Sequence, residues 1–89
     1  VKEHPNADKL YVLEVDIGEK DKRIIVAGLR LRYKKSDLQE KKAVFIVNLE
    51  PATIRGIKSE GMILAAGDSY DNVVILMPEK DINEGSKIR

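Results

Sequence analysis

The chain has 89 residues, enough for one domain with a single buried core and too few for a catalytic domain with a separate lid. It contains no cysteine, which removes disulfides, thiolate zinc sites and cysteine nucleophiles together and fits a reducing, cytoplasmic compartment. Sixteen Lys and Arg against fifteen Asp and Glu leave a formal charge of +1, which alone says nothing about nucleic acid, and no apolar run reaches the roughly 18 residues of a membrane helix.

The first residues, Val1 and Lys2, read as the end of a strand that is mostly missing, because a turn signal, "HPNADK", follows at once. "LYVLEVDIG" alternates Tyr11, Leu13, Val15 and Ile17 with Val12, Glu14 and Asp16, the period of a strand with one wet face, and Gly18 ends it. "RIIVAGL" and "KAVFIVNL" are β-branched runs without clean alternation, as expected of strands covered on both sides or curled into a barrel. Between them, Ser36 followed three residues later by Gln39 predicts an N-cap and one or two turns of helix. "GMILAAG" and "NVVILMP" predict two further strands joined by the turn "GDSYDN" and closed by Pro78. This order predicts an all-β domain over residues 1–89. Its expected form is a small closed five-stranded oligonucleotide/oligosaccharide-binding (OB) barrel with a short helix between strands 3 and 4 and a truncated first strand. An SH3-like barrel or an open meander competes with it.

Charge is unevenly spread. Residues 30–42 carry six cations and two acids, a local +4, whereas residues 68–84 carry one cation and five acids, a local −4. The chain is a dipole in sequence, and the fold decides whether it is one in space.

Catalysis has no support. Ser59 in "GIKSEG" stands one place out of step with the nucleophile elbow G-x-S-x-G, and a strand rather than a helix follows it. The single histidine, His4, would have to serve as the base of any triad, and with Glu3 or Asp8 it lacks the ligand count of a zinc site, so it reads as a surface residue before a turn. No glycine pattern fits a nucleotide cofactor. No cofactor, metal or catalytic residue is expected.

Two stretches rise above generic pattern: "HPNADKLYVLEVDIG" (4–18) and "NLEPATIRGIKSEGMILAA" (48–66), with "IIVAGL" and the closing "GSKI". Together they resemble the tRNA-binding domain found at the C-terminus of many methionyl-tRNA synthetases or as their separate beta subunit. The same domain occurs as free-standing tRNA-binding proteins and in the endothelial monocyte-activating polypeptide and its multisynthetase cofactor relatives. The resemblance covers nearly the whole chain. It implies the OB barrel and a non-catalytic role as a general tRNA-binding appendage of a synthetase. The partners it implies are tRNA and either a synthetase catalytic subunit or a second copy of the chain. The family pattern ending in S-x-G-M falls on Ser59 and Met62; Asn48, Arg55 and Lys58 belong to the same stretch, and Asn6 and Lys9 to the first.

These residue types suit such a role. Arg55 and Lys58 can track phosphate, Met62 can lie against an unstacked base, and the Ser59 hydroxyl can donate to and accept from a phosphate or a 2′-hydroxyl. Gly56 and Gly61, lacking Cβ, would let RNA come close to the backbone. Each has a plainer reading: Met62 as core filler, Ser59 as a turn cap, Arg55 and Lys58 as solvated charge, and Asn6 and Asn48 as backbone-bonding turn residues. Tyr33 is the aromatic set among cations, whereas Tyr11 faces the core. The rival class is a protein-interaction module with the same barrel: a dimerisation or scaffold domain, or a chaperone-like or cytokine-like fragment.

Overall fold

A computed structural model describes residues 1–69 and 72–89. In chain order the elements are β1 (Lys2–Glu3), β2 (Tyr11–Val15), β3 (Arg23–Ala27), α1 (Lys35–Leu38), β4 (Phe45–Ile46), β5 (Ala52–Ile54), β6 (Ile57–Ser59), β7 (Met62–Ile63), β8 (Ala65–Gly67) and β9 (Val73–Ile75). Tyr70 and Asp71, in the expected turn between the last two strands, lie outside the described residues.

The alternation in β2 is realised: Tyr11, Leu13 and Val15 are buried and Glu14 is exposed. β3 is covered on both faces where Ile25, Val26 and Ala27 are buried in succession, with Ile25 fully inaccessible. These two strands pair antiparallel over five residues each and form the spine of the fold, with β1 beside β2. Leu29, Leu38 from α1 and Ile75 from β9 complete the core, each such side chain contributing about 1.5–3 kcal/mol on burial.

The remaining strands are shorter than expected. "KAVFIVNL" keeps only the two residues of β4 as strand, and "GMILAAG" divides into β7 and β8. The hydrogen-bonded ladders of the described residues split into one three-stranded sheet and three two-stranded ones, β4 with β7, β5 with β6 and β8 with β9. Single backbone bonds stitch these together: Leu64 N–H to Val44 O at 2.9 Å, Val44 N–H to Leu76 O at 3.1 Å and Leu76 N–H to Leu64 O at 3.1 Å. β1 covers only Tyr11 and Val12 of β2. The rest of β2 borders a groove of about 1050 Å³ whose walls include Leu13, Val15, Phe45 and Ile63. The domain is all-β with one helical turn, but these ladders do not close into a ring.

Side chains supply what the short ladders lack. Ser59 is buried at 3 % exposure, and its Oγ accepts the Val26 N–H at 3.0 Å while donating to Gly61 O at 3.0 Å. Arg23 Nη1 donates to both Val47 O (2.7 Å) and Glu60 O (3.1 Å). Its hydrogen bond to Glu19 holds the guanidinium pKa above its ordinary value. Tyr11 Oη donates to Tyr33 O at 2.7 Å, and Tyr33 Oη accepts the Ile75 N–H at 3.1 Å. Tyr33 is therefore half-buried and tied to β9 rather than free to stack among cations.

Helix capping differs from expectation. The N-cap is Lys34, whose backbone N–H donates to the Asp37 carboxylate at 2.9 Å, and Ser36 lies inside the turn. An acid at the third helical position satisfies the N-cap amide better than a hydroxyl at the second.

The two charged segments meet instead of facing apart. Lys42 of the basic stretch pairs with Asp81 (2.7 Å) and Glu84 (3.4 Å) of the acidic one, while Arg30 and Lys35 pair with Glu3. The C-terminal segment also crosses β2's end at two facing glycines: a Cβ on Gly85 would stand 2.3 Å from Ile17 O.

Two outcomes follow. Ser59→Ala strands a buried N–H and a carbonyl, so urea denaturation should show a loss of about 1–3 kcal/mol. The hydrogen bond from Lys42 lowers the Asp81 pKa and raises that of Lys42. The Asp81 contribution is therefore present above the ordinary carboxylate range and lost as pH falls through its lowered value, whereas that of Lys42 is lost only as pH rises through its raised one. Protection of the amides in residues 81–84, relative to their intrinsic exchange rates at each pH, should fall on acidification, and Asp81→Asn should produce the same loosening at neutral pH with little change in melting temperature.

Candidate nucleic-acid interface

The loop read from "IRGIKSEG" is a β-hairpin. Ile54 pairs with Ile57 across a two-residue turn in which Arg55 (φ +52) and Gly56 (φ +90) both take the left-handed conformation. Two positive φ values are what a type I′ turn requires. Glycine accepts this freely, whereas arginine is an uncommon occupant. The hairpin thus lifts a guanidinium to its tip at some conformational cost.

Along β6 the side chains run half-buried Ile57, exposed Lys58, buried Ser59. Lys58 therefore points outward, opposite exposed Thr53 of β5. Met62 begins β7 opposite Ile46 and is 48 % exposed, so it is surface and not core filler. Gly61 before it is sterically forced, since a Cβ there would lie 2.7 Å from Ile46 O. Its missing side chain admits a neighbouring strand of the same chain rather than a ligand backbone.

The first motif folds against this tip. His4 is buried at 3 % exposure, contrary to the surface position expected for it. Its Nδ1 accepts the Asn6 N–H at 3.0 Å, which leaves the proton on Nε2 to donate to Ile54 O at 3.0 Å. Both ring nitrogens are thereby occupied by backbone. His4 N–H also bonds Leu10 O at 3.2 Å, closing the turn that carries Asn6 and Lys9. The Asn6 carboxamide nitrogen stands 4.0 Å from where a Gly56 Cβ would be.

The expected residues therefore fall into three settings. Asn6 stands beside Arg55 and Gly56 at the hairpin tip, and Lys9 lies on the same turn as Asn6, where its carbonyl accepts the Arg30 N–H at 3.4 Å; all three side chains are exposed. Asn48 stands toward the hairpin's base, next to Val47, whose carbonyl shares the Arg23 guanidinium with Glu60 O, and it is exposed like Lys58 and Met62. Ser59 lies behind this surface with both hydrogen-bonding functions of its hydroxyl used internally. Among the described residues, no carboxylate comes within ion-pair distance of Lys9, Arg55 or Lys58. Of the acids nearby in sequence, Glu60 turns an oxygen to the Ile24 N–H at 3.3 Å, and Glu50 is exposed.

Asn6, Lys9, Asn48, Arg55, Lys58 and Met62 are thus exposed, and Ser59 alone of the expected residues is buried. The exposed set comprises three cations without an ion pair among the described residues, two carboxamides and one thioether. Residue type did not point to Arg23, which ties Val47 O to Glu60 O, and misplaced His4, which is buried behind the hairpin tip. The signal for His4 was its place before a Pro-Asn turn, which leaves the following amide in need of an acceptor.

Comparison with known proteins identifies the family. Residues 1–87 match the family model described as "Putative tRNA binding domain". The chain is 51 % identical over all 89 residues to methionine–tRNA ligase of Pyrococcus horikoshii, of which it spans 12 % of the length. Among solved structures, the MetRS-related protein from Pyrococcus horikoshii superposes with a TM-score of 0.90 at 28 % identity, over 99 % of this chain and 80 % of that one. The C-terminal domain of Plasmodium vivax p43 superposes with a TM-score of 0.85 at 39 % identity, over 92 % of this chain and 49 % of that one. The chain is a member of the tRNA-binding domain family.

Proposed function

We propose that this domain is a non-catalytic, general tRNA-binding module that raises the grip of a methionyl-tRNA synthetase on its substrate in the cytoplasm, recognising shape and backbone rather than sequence. The observation that carries this reading is Arg55: a guanidinium held at φ +52 on a hairpin tip, with no carboxylate near it among the described residues. Asn is the residue that favours this turn position. Arginine there gives up hairpin stability, and the charge it presents is what that loss supports. Lys9 and Lys58 extend the cationic track, Met62 supplies a soft surface for a base, and Asn6 and Asn48 supply carboxamides. Ser59 serves the same surface from behind, by fixing β6 to β3. The broken ladders fit an OB barrel open along one side. The partners of this reading are tRNA and a synthetase catalytic region or a second copy.

Sequence reading needs several forked side chains on base edges, each bidentate pair worth ~1–3 kcal/mol. The surface has one fork. Unrelated tRNAs should thus bind within about tenfold of one another. Three cations on phosphates should give a log-log salt slope of about −2 to −3. A protein-interaction module would show little salt dependence and no affinity for tRNA.

Two substitutions sharpen this. Arg55→Asn should raise the melting temperature while weakening tRNA binding, because it relieves the turn and removes the cation. Met62→Ala should weaken binding by about 1–3 kcal/mol, the range for a lost base contact, with the melting temperature held. Fluorescence titration with a transcript panel, alongside thermal melts, measures both; a hundredfold preference for one tRNA would contradict shape recognition.

A further inference from the structure

We propose that His4 is the positioning residue of this interface: its buried imidazole locks the Asn6 turn to the Arg55 hairpin tip, so that the two side chains meet RNA as one preset pair. The inference rests on the tRNA-binding reading and concerns a residue that touches no ligand.

Turn and tip are separated by about half the chain, and neither has a ladder to the other. The imidazole joins them, accepting the Asn6 amide on one nitrogen and donating to Ile54 O, next to Arg55, from the other. At 3 % exposure, water has little access to replace either bond. The carboxamide of Asn6 is thereby held beside Gly56, the second residue of the tip. One carboxamide offers donor and acceptor to a base edge, and one guanidinium offers a fork to a phosphate. Held together, they lose less freedom on binding than two independent groups.

Two bonds allow the role to be divided. His4→Asn keeps an acceptor for the Asn6 N–H, in the manner of an Asx turn, but cannot reach Ile54. It leaves the turn intact and frees it from the tip. The affinities of wild type, His4→Asn, Arg55→Ala and the double variant for one tRNA transcript at fixed salt form a cycle. Expected is a loss of about tenfold for His4→Asn per folded molecule, with the double variant no more than about twofold weaker than Arg55→Ala alone. Wild-type affinity in folded His4→Asn, with Arg55→Ala impaired, overturns the positioning role and leaves the interface standing. Unchanged affinity in both single variants, or no tRNA binding by the wild type, overturns the interface reading and this inference with it. Nitrogen-15 spectra of the wild-type imidazole give a second reading that needs no variant. The proton should reside on Nε2, and on tRNA addition the Asn6 carboxamide and the Arg55 Nε–H should shift in parallel. A proton on Nδ1, or movement of one group without the other, contradicts the clamp.

Discussion

The outer edge of β3 must be hydrogen-bonded, because a buried backbone amide without a partner costs about 1–3 kcal/mol, and the chain meets this need with a hydroxyl. Ser59 Oγ takes the Val26 N–H where a neighbouring strand would otherwise offer a carbonyl, and Glu60 N–H returns a bond to Ile24 O at 2.8 Å. The hairpin's second strand, β6, is thereby fixed against the spine at a defined register. With that register Ser59 faces inward, and the period of two turns Lys58 outward. A shift by one residue would bury the lysine and expose the serine. The composition of the outer surface thus depends on the few bonds that Ser59 and Glu60 make to β3.

The same economy recurs around the fold. Strands of two or three residues cannot close a barrel by ladders alone, and Arg23, Tyr33 and His4 each bridge segments that lie far apart in the chain. Charge follows a related division. Arg23, Arg30, Lys35 and Lys42 are engaged by carboxylates, whereas Lys9, Arg55 and Lys58 face solvent without one among the described residues. The densest basic stretch in the sequence is therefore partly spent on holding the chain together through Arg30, Lys35 and Lys42, although Arg32, Lys34 and Lys41 of that stretch also have no ion pair among the described residues.

Much of this was legible beforehand where the physics is local. Alternation placed Tyr11, Leu13 and Val15 inward, the unbroken apolar run placed Ile25 to Ala27 under cover on both faces, and two long motifs identified the family. What was not legible depends on contacts distant in sequence. His4 looks like a surface residue until its partner, the carbonyl of Ile54, is known. Ser59 and Met62 belong to one motif, and residue type suggested contact for the hydroxyl as readily as for the thioether; burial places the first inside, at the end of β6, and the second at the surface, at the start of β7. The hairpin escaped notice because Arg-Gly is not a customary type I′ pair and three-residue strands alternate too briefly to register. The glycine of the motif, Gly61, answers to Ile46 O rather than to a ligand.

The account stands on the claim that RNA meets the hairpin face from outside while Ser59 and the core hold it from within. Titrating tRNA into protein labelled at methyl groups and arginine side chains tests this most directly. The Met62 methyl and the Arg55 Nε–H should shift first and furthest, with Ile25, Leu29 and the groove-lining Ile75 unmoved. Shifts centred on the groove residues or on residues 30–42, with Met62 and Arg55 unaffected, would contradict it.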